Sequence, residues 1–434
     1  NPLPFLTGTI CAHRCQTKCS RNFYDESVRI RDTKLLAAQK GYNALMASIK
    51  LPERVAGKKV AIIGGGPTGI AAAYFCGRAG IETTIFERES CLGGVPRHVI
   101  PSFRIANEAI EKDIALMEKY GVEVKCGAPA PSVDELKKQG YTHILLAVGA
   151  WKPGKLDIAG DVAGAIQWMK GVKAGNIAVA GNIVVVGGGN VAVDAACMAL
   201  RSGAKNVTMV SIEQREEMPA SPDEIEEALA DGVKLDCGWG PAKINADANG
   251  QVESITLRRC TRVFDSEGRF APEYDDADTR TIDCKQVVLA IGQSIEWGSL
   301  LEGSAVELGR GNTAVADGFT YQTAQDDVFV GGDAFTGPRF VIDAIAAGHE
   351  AATSLHRFVQ KGSSLTTGRN QLHYVELDKS NIALNPGKYD HAGRQVPGCT
   401  FTSGETRISP GERPAFTEEQ IRTETARCLS LIHI

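Results

Sequence analysis

Two glycine-rich turns carry most of the chemistry available to this chain. The first is Gly64-x-Gly66-x-x-Gly69, which follows the apolar run Val60 to Ile63 and opens a small-residue helix. In such a turn the first glycine makes the tight bend. The second lets backbone approach a pyrophosphate, and the third lets helix and strand pack closely. The helix N-terminus then offers free N–H groups to phosphate oxygens. Glu87 stands at the end of the next strand, Thr83 to Phe86, where a carboxylate accepts hydrogen bonds from ribose hydroxyls. The second turn is Gly187-x-Gly189-x-x-Ala192, in which alanine still permits close packing. Two such turns in one polypeptide imply two dinucleotides, a flavin and a nicotinamide. Gly331-Gly332-Asp333 sorts them, because a strand-end carboxylate near the C-terminus can reach the ribityl chain of a flavin held at the first turn.

A third constellation is Cys11-x3-Cys15-x3-Cys19. Thiolates this dense in a cytosolic protein are metal ligands more often than not. The spacing fits neither the CxxC zinc pattern nor CxxxCxxC. A Cys3His zinc site with His13 and three unligated thiols both stay open at this point. Other cysteines, such as Cys76, Cys197 and Cys284, sit singly in apolar segments, as buried thiols of a reducing cytosol do. A disulphide reductase would need a paired dithiol facing the flavin. Near the first turn only Cys91 is at hand, without a CxxC or C-x4-C partner.

These turns need parallel strands beneath them, and the chain supplies the strands twice. Ile183 to Val186 repeats Val60 to Ile63, Arg201 and Gly203 repeat Arg78 and Gly80, and Val207 to Val210 supplies the second strand. Ile144 to Val148 ends at Gly149 and Val287 to Ile291 ends at Gly292, two further strand-to-turn junctions. With 47 glycines and only 6% aromatic residues, composition favours parallel sheets with phosphate-binding turns over a β-sandwich. A net charge of −5 gives no reason to expect nucleic acid or an anionic membrane as partner. Ile177 to Leu200 is long enough to span a membrane, but Asn182, Gly187, Gly188, Gly189, Asn190 and Asp194 interrupt it, so it reads as strand, turn and helix. The expectation is therefore an α/β protein with two Rossmann-like dinucleotide-binding domains and no membrane span. Lys34 to Lys50 and Thr417 to Cys428 read as further helices.

Gly64 to Glu87, Gly93-Gly94-Val95-Pro96-Arg97, Ile100-Pro101-Ser102-Phe103-Arg104, Gly187 to Asp194, Arg215-Glu216-Glu217-Met218-Pro219-Ala220 and Gly331-Gly332-Asp333 occur in one order over about residues 1 to 362. Together they resemble the glutamate synthase small-subunit family, which includes the electron-input half of dihydropyrimidine dehydrogenase. The wording Ser211-Ile212-Glu213-Gln214-Arg215 is most similar to the branch of selenate reductase flavoprotein subunits. The resemblance implies an NAD(P)H-dependent flavin oxidoreductase of the cytoplasm that passes electrons through iron–sulfur clusters to an accepting subunit or domain. Hydride transfer then rests on cofactor positioning, with no catalytic acid or base. Implied FAD contacts are Gly64, Gly66, Pro67, Gly69, Glu87, Gly94, Arg97, Gly149, Gly332 and Asp333. Implied nicotinamide contacts are Gly187, Gly189, Asn190, Val191, Asp194, Glu213, Arg215 and Gly292.

The same resemblance assigns residues 1–50 to a truncated helical iron–sulfur segment, with Cys11, Cys15 and Cys19 shared between two [4Fe–4S] clusters. The flavin domain covers 51–155 and 285–362, interrupted by a nicotinamide domain at 156–284. An extended tail over 363–428 leads toward a lost ferredoxin-like segment, and 429–434 reads as a cloning or sequencing scar. The sequence departs from the family twice. Ile212 and Glu213 stand where NADPH-using relatives carry two arginines, which favours NADH over NADPH, with Arg215 left as the residue to accommodate a 2′-phosphate. Lys34 stands where relatives place a Gln or Glu ligand, and a protonated lysine cannot ligate iron. A non-catalytic flavin-binding scaffold and a disulphide-reductase type remain as rival readings.

Overall fold

A computed structural model describes residues 1–154, 156, 162–360, 362–369, 390–397 and 416–429. The expected tail over 370–389 and 398–415, and the last five residues of the suspected scar, lie outside the described residues.

The chain starts with helix α1 (Pro4–Ile10), a single turn at Arg14–Thr17, and α2 (Ile30–Ser48). Proline at the start of α1 leaves few donors to satisfy. Two of them, the amides of Phe5 and Leu6, donate to the buried carboxylate of Asp113 at 3.0 and 2.7 Å. In α2, Leu35 and Leu36 are buried, whereas Leu45 stays exposed.

The first dinucleotide unit follows as β1 (Lys59–Ile63), α3 (Pro67–Arg78), β2 (Glu82–Glu87), α4 (Asn107–Glu118), β3 (Glu123–Cys126) and β4 (His143–Leu146). The second runs through α5 (Ala165–Lys173), β5 (Asn182–Val186), α6 (Asn190–Arg201), β6 (Asn206–Ser211), α7 (Pro222–Asp231) and β7 (Lys234–Cys237). Three antiparallel strands come next, β8 (Trp239–Ala246), β9 (Val252–Phe264) and β10 (Phe270–Asp283). The sequence reading had not singled these out. The chain closes with β11 (Gln286–Leu289), β12 (Val328–Val330), α8 (Val341–Phe358) and α9 (Glu418–Ala426).

Each unit is a five-stranded parallel sheet. The first has the order β12-β4-β1-β2-β3, so the chain must leave it after β4 and return at β12. The second orders Ala163–Gly164, β11, β5, β6 and β7. One boundary moves accordingly. The expected join at 285 falls just before β11, and β11 pairs with β5 of the second sheet, so the first unit resumes after that strand.

The centres of both sheets are continuous apolar runs because both faces are covered, by helices and, over one face of the second sheet, by β8 and β9. Val60, Ile62, Leu145 and Phe329 pack in one core with Ile70 and Leu355, and Ile183, Val185 and Val288 pack in another with Val193 and Met209. Close helix contact depends on small residues. A side chain at Gly348 of α8 would meet the Thr68 carbonyl at 2.3 Å.

Helix α9 begins with a reciprocal cap between Thr417 and Gln420. It packs on the N-terminal segment through buried charges. Arg427 reaches Asp25 at 3.1 Å, Glu424 accepts from the Arg29 amide at 2.8 Å, and Arg21 donates to the Arg427 carbonyl at 2.9 Å.

Candidate dinucleotide site

The turn after β1 bends at Gly64, whose φ is +108°, and a Cβ there would sit 2.3 Å from the Ala147 carbonyl oxygen. A Cβ at Gly69 would lie 1.9 Å from the Gly64 oxygen, so α3 could not approach β1 with any side chain at that position. Gly66 caps α3, and the space its Cβ would fill is open apart from Gly94 at 3.8 Å. Glu87 is buried at the end of β2. Its carboxylate accepts from the amides of Gly65 (2.7 Å) and Glu89 (2.8 Å), which fixes it beside the turn.

The second turn repeats this plan. A Cβ at Gly187 would lie 2.5 Å from the Ala290 oxygen, while Gly189, capping α6, faces open space. Asn190 is held by the Ser221 amide, which donates to its Oδ1 at 2.9 Å. Glu213 takes the place Glu87 has in the first unit. Its carboxylate accepts from the Ser211 hydroxyl, and a Cβ on Gly188 would meet Glu213 Oε2 at 2.6 Å.

Both turns open on one cavity of about 860 Å³. Gly64, Gly66, Pro67, Glu87, Gly94, Gly149 and Asp333 line it from the first unit. Gly189, Asn190, Val191, Asp194 and Gly292 line it from the second. Burial pushes the Asp333 carboxyl up to about 6, and the Arg339 amide donates to it at 3.1 Å. Both Cβ-free cradles face this one cavity, as suits the approach of a pyrophosphate to backbone.

Six expected residues do not line the cavity. Gly69, Gly187 and Gly332 shape its walls from behind. Arg97 pairs with Glu111 at 2.9 Å, Arg215 pairs with Glu226, and Glu213 stands behind Gly188. The cavity also takes residues that sequence reasoning missed, among them Thr68, Trp151, Trp297, Phe340, Arg31 and Arg104. Arg104 had been quoted only within a motif. Here it binds Asp194 at 2.8 Å, together with Glu227 of α7.

The three N-terminal thiols are not gathered into a ligand set. Cys11 is buried and Cys15 exposed, with His13 in a left-handed conformation between them (φ +40°). Among the described residues, no group of three or more His, Cys, Asp or Glu is arranged to hold a metal ion. The three expected metal ligands are therefore not brought together at one point among the described residues. The physical reason is local: the turn of helix at Arg14–Thr17 carries Cys15 to the surface while Cys11 packs inward. Partial desolvation of the Cys15 sulfur and the neighbouring Cys11 hold that thiol above its ordinary pKa, against the positive charge of Lys34. Among the described residues no cysteine lines the cavity either, so a dithiol facing a flavin is not formed.

Residues 58–348 match the family model for pyridine nucleotide-disulphide oxidoreductases. The chain belongs to that family. It has an FAD- and NAD(P)H-binding oxidoreductase fold, as two repeated glycine turns on one cavity led us to expect. All of this chain aligns at 32% identity with the oxidoreductase YgfK of Escherichia coli strain K12, and spans 40% of that relative's length. The small chain of E. coli glutamate synthase [NADPH] is 27% identical over 83% of this chain and 81% of its own. The glutamate synthase resemblance therefore holds. FprA of Mycobacterium tuberculosis, solved with NADPH, superposes with a TM-score of 0.58 over 70% of this chain and 84% of its own, at 18% identity, a likeness of fold alone. Among the described residues no helix is long and apolar enough to cross a membrane.

Proposed function

We propose that this chain oxidises NADH and passes the electrons through FAD to an accepting subunit or domain. The observation that carries the reading is that the two glycine turns open on a single cavity, so two dinucleotides bound there bring their ring systems together. Gly64, Gly66 and the start of α3 take the FAD pyrophosphate, Glu87 the ribose hydroxyls, and Asp333 the ribityl chain. Gly189, Asn190 and Val191 at the start of α6 take the nicotinamide nucleotide. Bound FAD supplies the two-electron chemistry, and the chain supplies orientation and dryness. Trp151, Trp297 and Phe340 on the cavity wall exclude water from the meeting point.

Glu213 supports NADH over NADPH. Its carboxylate lies behind the Gly188 turn, from which its charge would disfavour a 2′-phosphate relative to a free 2′-hydroxyl. Arg215, the side chain that could offset this, is engaged by Glu226. Electrons leave on the side where Ile10 and Arg31 of the N-terminal segment join the cavity wall. The domain limits given above, moved past β11, and a cytoplasmic location, in keeping with the free thiols, complete the proposal.

The test is anaerobic mixing of the FAD-loaded protein with NADH or NADPH while following flavin absorbance. Bleaching by NADH at lower concentration than by NADPH is expected. A protein that binds FAD and is bleached by neither is a scaffold, and the enzymatic reading falls.

A further inference from the structure

We propose that Arg31 is a positioning residue for the nicotinamide nucleotide, its guanidinium taking a phosphate oxygen of the dinucleotide seated at Gly189–Val191. The proposal rests on the function given above, and names the charge that holds the substrate.

The first turn of α2 places Arg31 on the cavity wall, on which Asn190, Val191 and Glu224 of the second unit also lie. Its Nη1 donates to the Cys11 carbonyl at 3.3 Å and lies 3.4 Å from His13 Nδ1. Its Nε is buried and makes no hydrogen bond among the described residues. Among those residues, no carboxylate stands within ion-pair distance of it. The other cavity arginines differ. Arg104 is held by Asp194 and Glu227, Arg88 reaches Glu296 at 3.4 Å, and Arg339 is exposed at the rim.

A half-buried cation without a counter-ion is costly, and burial lowers the pKa of Arg31 below its usual value. Its neighbour Asp32 pairs with Arg29, at 3.4 Å, so that Asp32, Cys11 and Glu224 act on Arg31 through their fields without a direct ion pair among the described residues. The second glycine turn, Gly187 to Asp194, contains no basic side chain, so the helix terminus offers a bound pyrophosphate N–H groups but no full charge. A phosphate oxygen and Arg31 satisfy each other, with the planar guanidinium suited to phosphate.

The full chain and its Arg31→Gln and Arg31→Met variants would be titrated calorimetrically with ADP-ribose, which carries the pyrophosphate but no nicotinamide ring. Affinity is expected to fall roughly tenfold or more in both variants, the range for losing a charged hydrogen bond. Arg31→Lys should restore part of it. FAD content and the flavin spectrum should be unchanged, and flavin reduction at saturating NADH should stay within about twofold while KM rises with the ADP-ribose constant. Unchanged ADP-ribose affinity in Arg31→Gln and Arg31→Met overturns the proposal, as does a shifted flavin spectrum with nucleotide affinity intact. If the wild-type flavin is not bleached by NADH yet Arg31→Gln still weakens ADP-ribose, the hydride reading falls and this one stands. Absence of ADP-ribose binding to the wild type sinks both.

Discussion

Arg104 Nε donates to Asp194 Oδ1 over 2.8 Å, from the loop after Pro101 in the first unit to helix α6 in the second. The same guanidinium bonds Glu227, which shares its carboxylate with Arg201 at 3.1 Å, and Arg201 in turn holds Asp231 at 2.7 Å. Arg201 also stacks on Phe103, its Cζ 3.9 Å from the ring centroid. A largely buried ionic chain thus fixes how one dinucleotide unit sits on the other.

Removing the guanidinium leaves Asp194 without its ion-pair partner and Glu227 with Arg201 alone. Arg104→Ala should cost about 3–5 kcal/mol of stability, the usual penalty for breaking a buried ion pair. Urea unfolding measures it. Arg104→Lys should recover only part, since an ammonium cannot serve both carboxylates in one plane. A midpoint unchanged in Arg104→Ala would mean that the network contributes nothing to the join.

The two kinds of glycine should separate on substitution. Gly64→Ala forces a Cβ toward the Ala147 oxygen at a positive φ, so the protein should fail to accumulate in soluble form. Gly189→Ala meets nothing within 4 Å, so folding should suffer by no more than about 1 kcal/mol, as for a changed helix cap. Its KM for NADH should nevertheless rise, because the methyl occupies the space of the pyrophosphate. Thermal melts and steady-state kinetics on the two variants decide the point.

Coenzyme choice should turn on Glu213. In Glu213→Gln the ratio of kcat/KM for NADPH to that for NADH should rise at least about tenfold, or roughly 1.4 kcal/mol. Adding Glu226→Ala, which frees Arg215, should raise it further. An unmoved ratio would remove Glu213 from the specificity argument.

Asp113 gives a pH dependence. Burial pushes its pKa from 3.8 up to about 7, against the two amides of α1 that favour the ionised form. The folded state therefore holds the proton more tightly than the unfolded chain does. The stabilisation is complete below about pH 3.8 and is lost as pH rises through about 7. The stability of the wild type relative to Asp113→Asn should fall by up to roughly 4 kcal/mol between those limits. Parallel urea midpoints for the two proteins from pH 4 to pH 8 provide the measurement.

The glycine turns, Glu87, Asp333 and the strands before them were legible because each rests on local rules, namely a positive φ, a close approach, or an apolar run. Cavity residues such as Trp151, Trp297 and Arg31 were not. They come from segments brought together only by the fold, and nothing near them in sequence marks them. The repeat also hid a difference. Arg78 and Arg201 hold matching places after each turn, yet Arg78 is exposed and Arg201 is buried against Glu227 and Asp231. The join at 285 was misplaced because β11, a short apolar strand, suits either sheet by composition, and only pairing with β5 assigns it. Cysteine spacing suggested a gathered ligand set, but spacing does not fix the direction in which each thiol leaves the backbone.

The junction of α9 with the N-terminal segment has a practical consequence for anyone who trims this protein. Glu424 is fully enclosed, and its carboxylate serves the Arg29 amide at one end of the chain and the Gln395 amide at the other. Shortened versions ending before residue 416 would strip acceptors from Arg21 and Arg29 and lay open a charged seam. Expression tags and boundaries chosen for crystallisation should therefore keep both ends or remove both together.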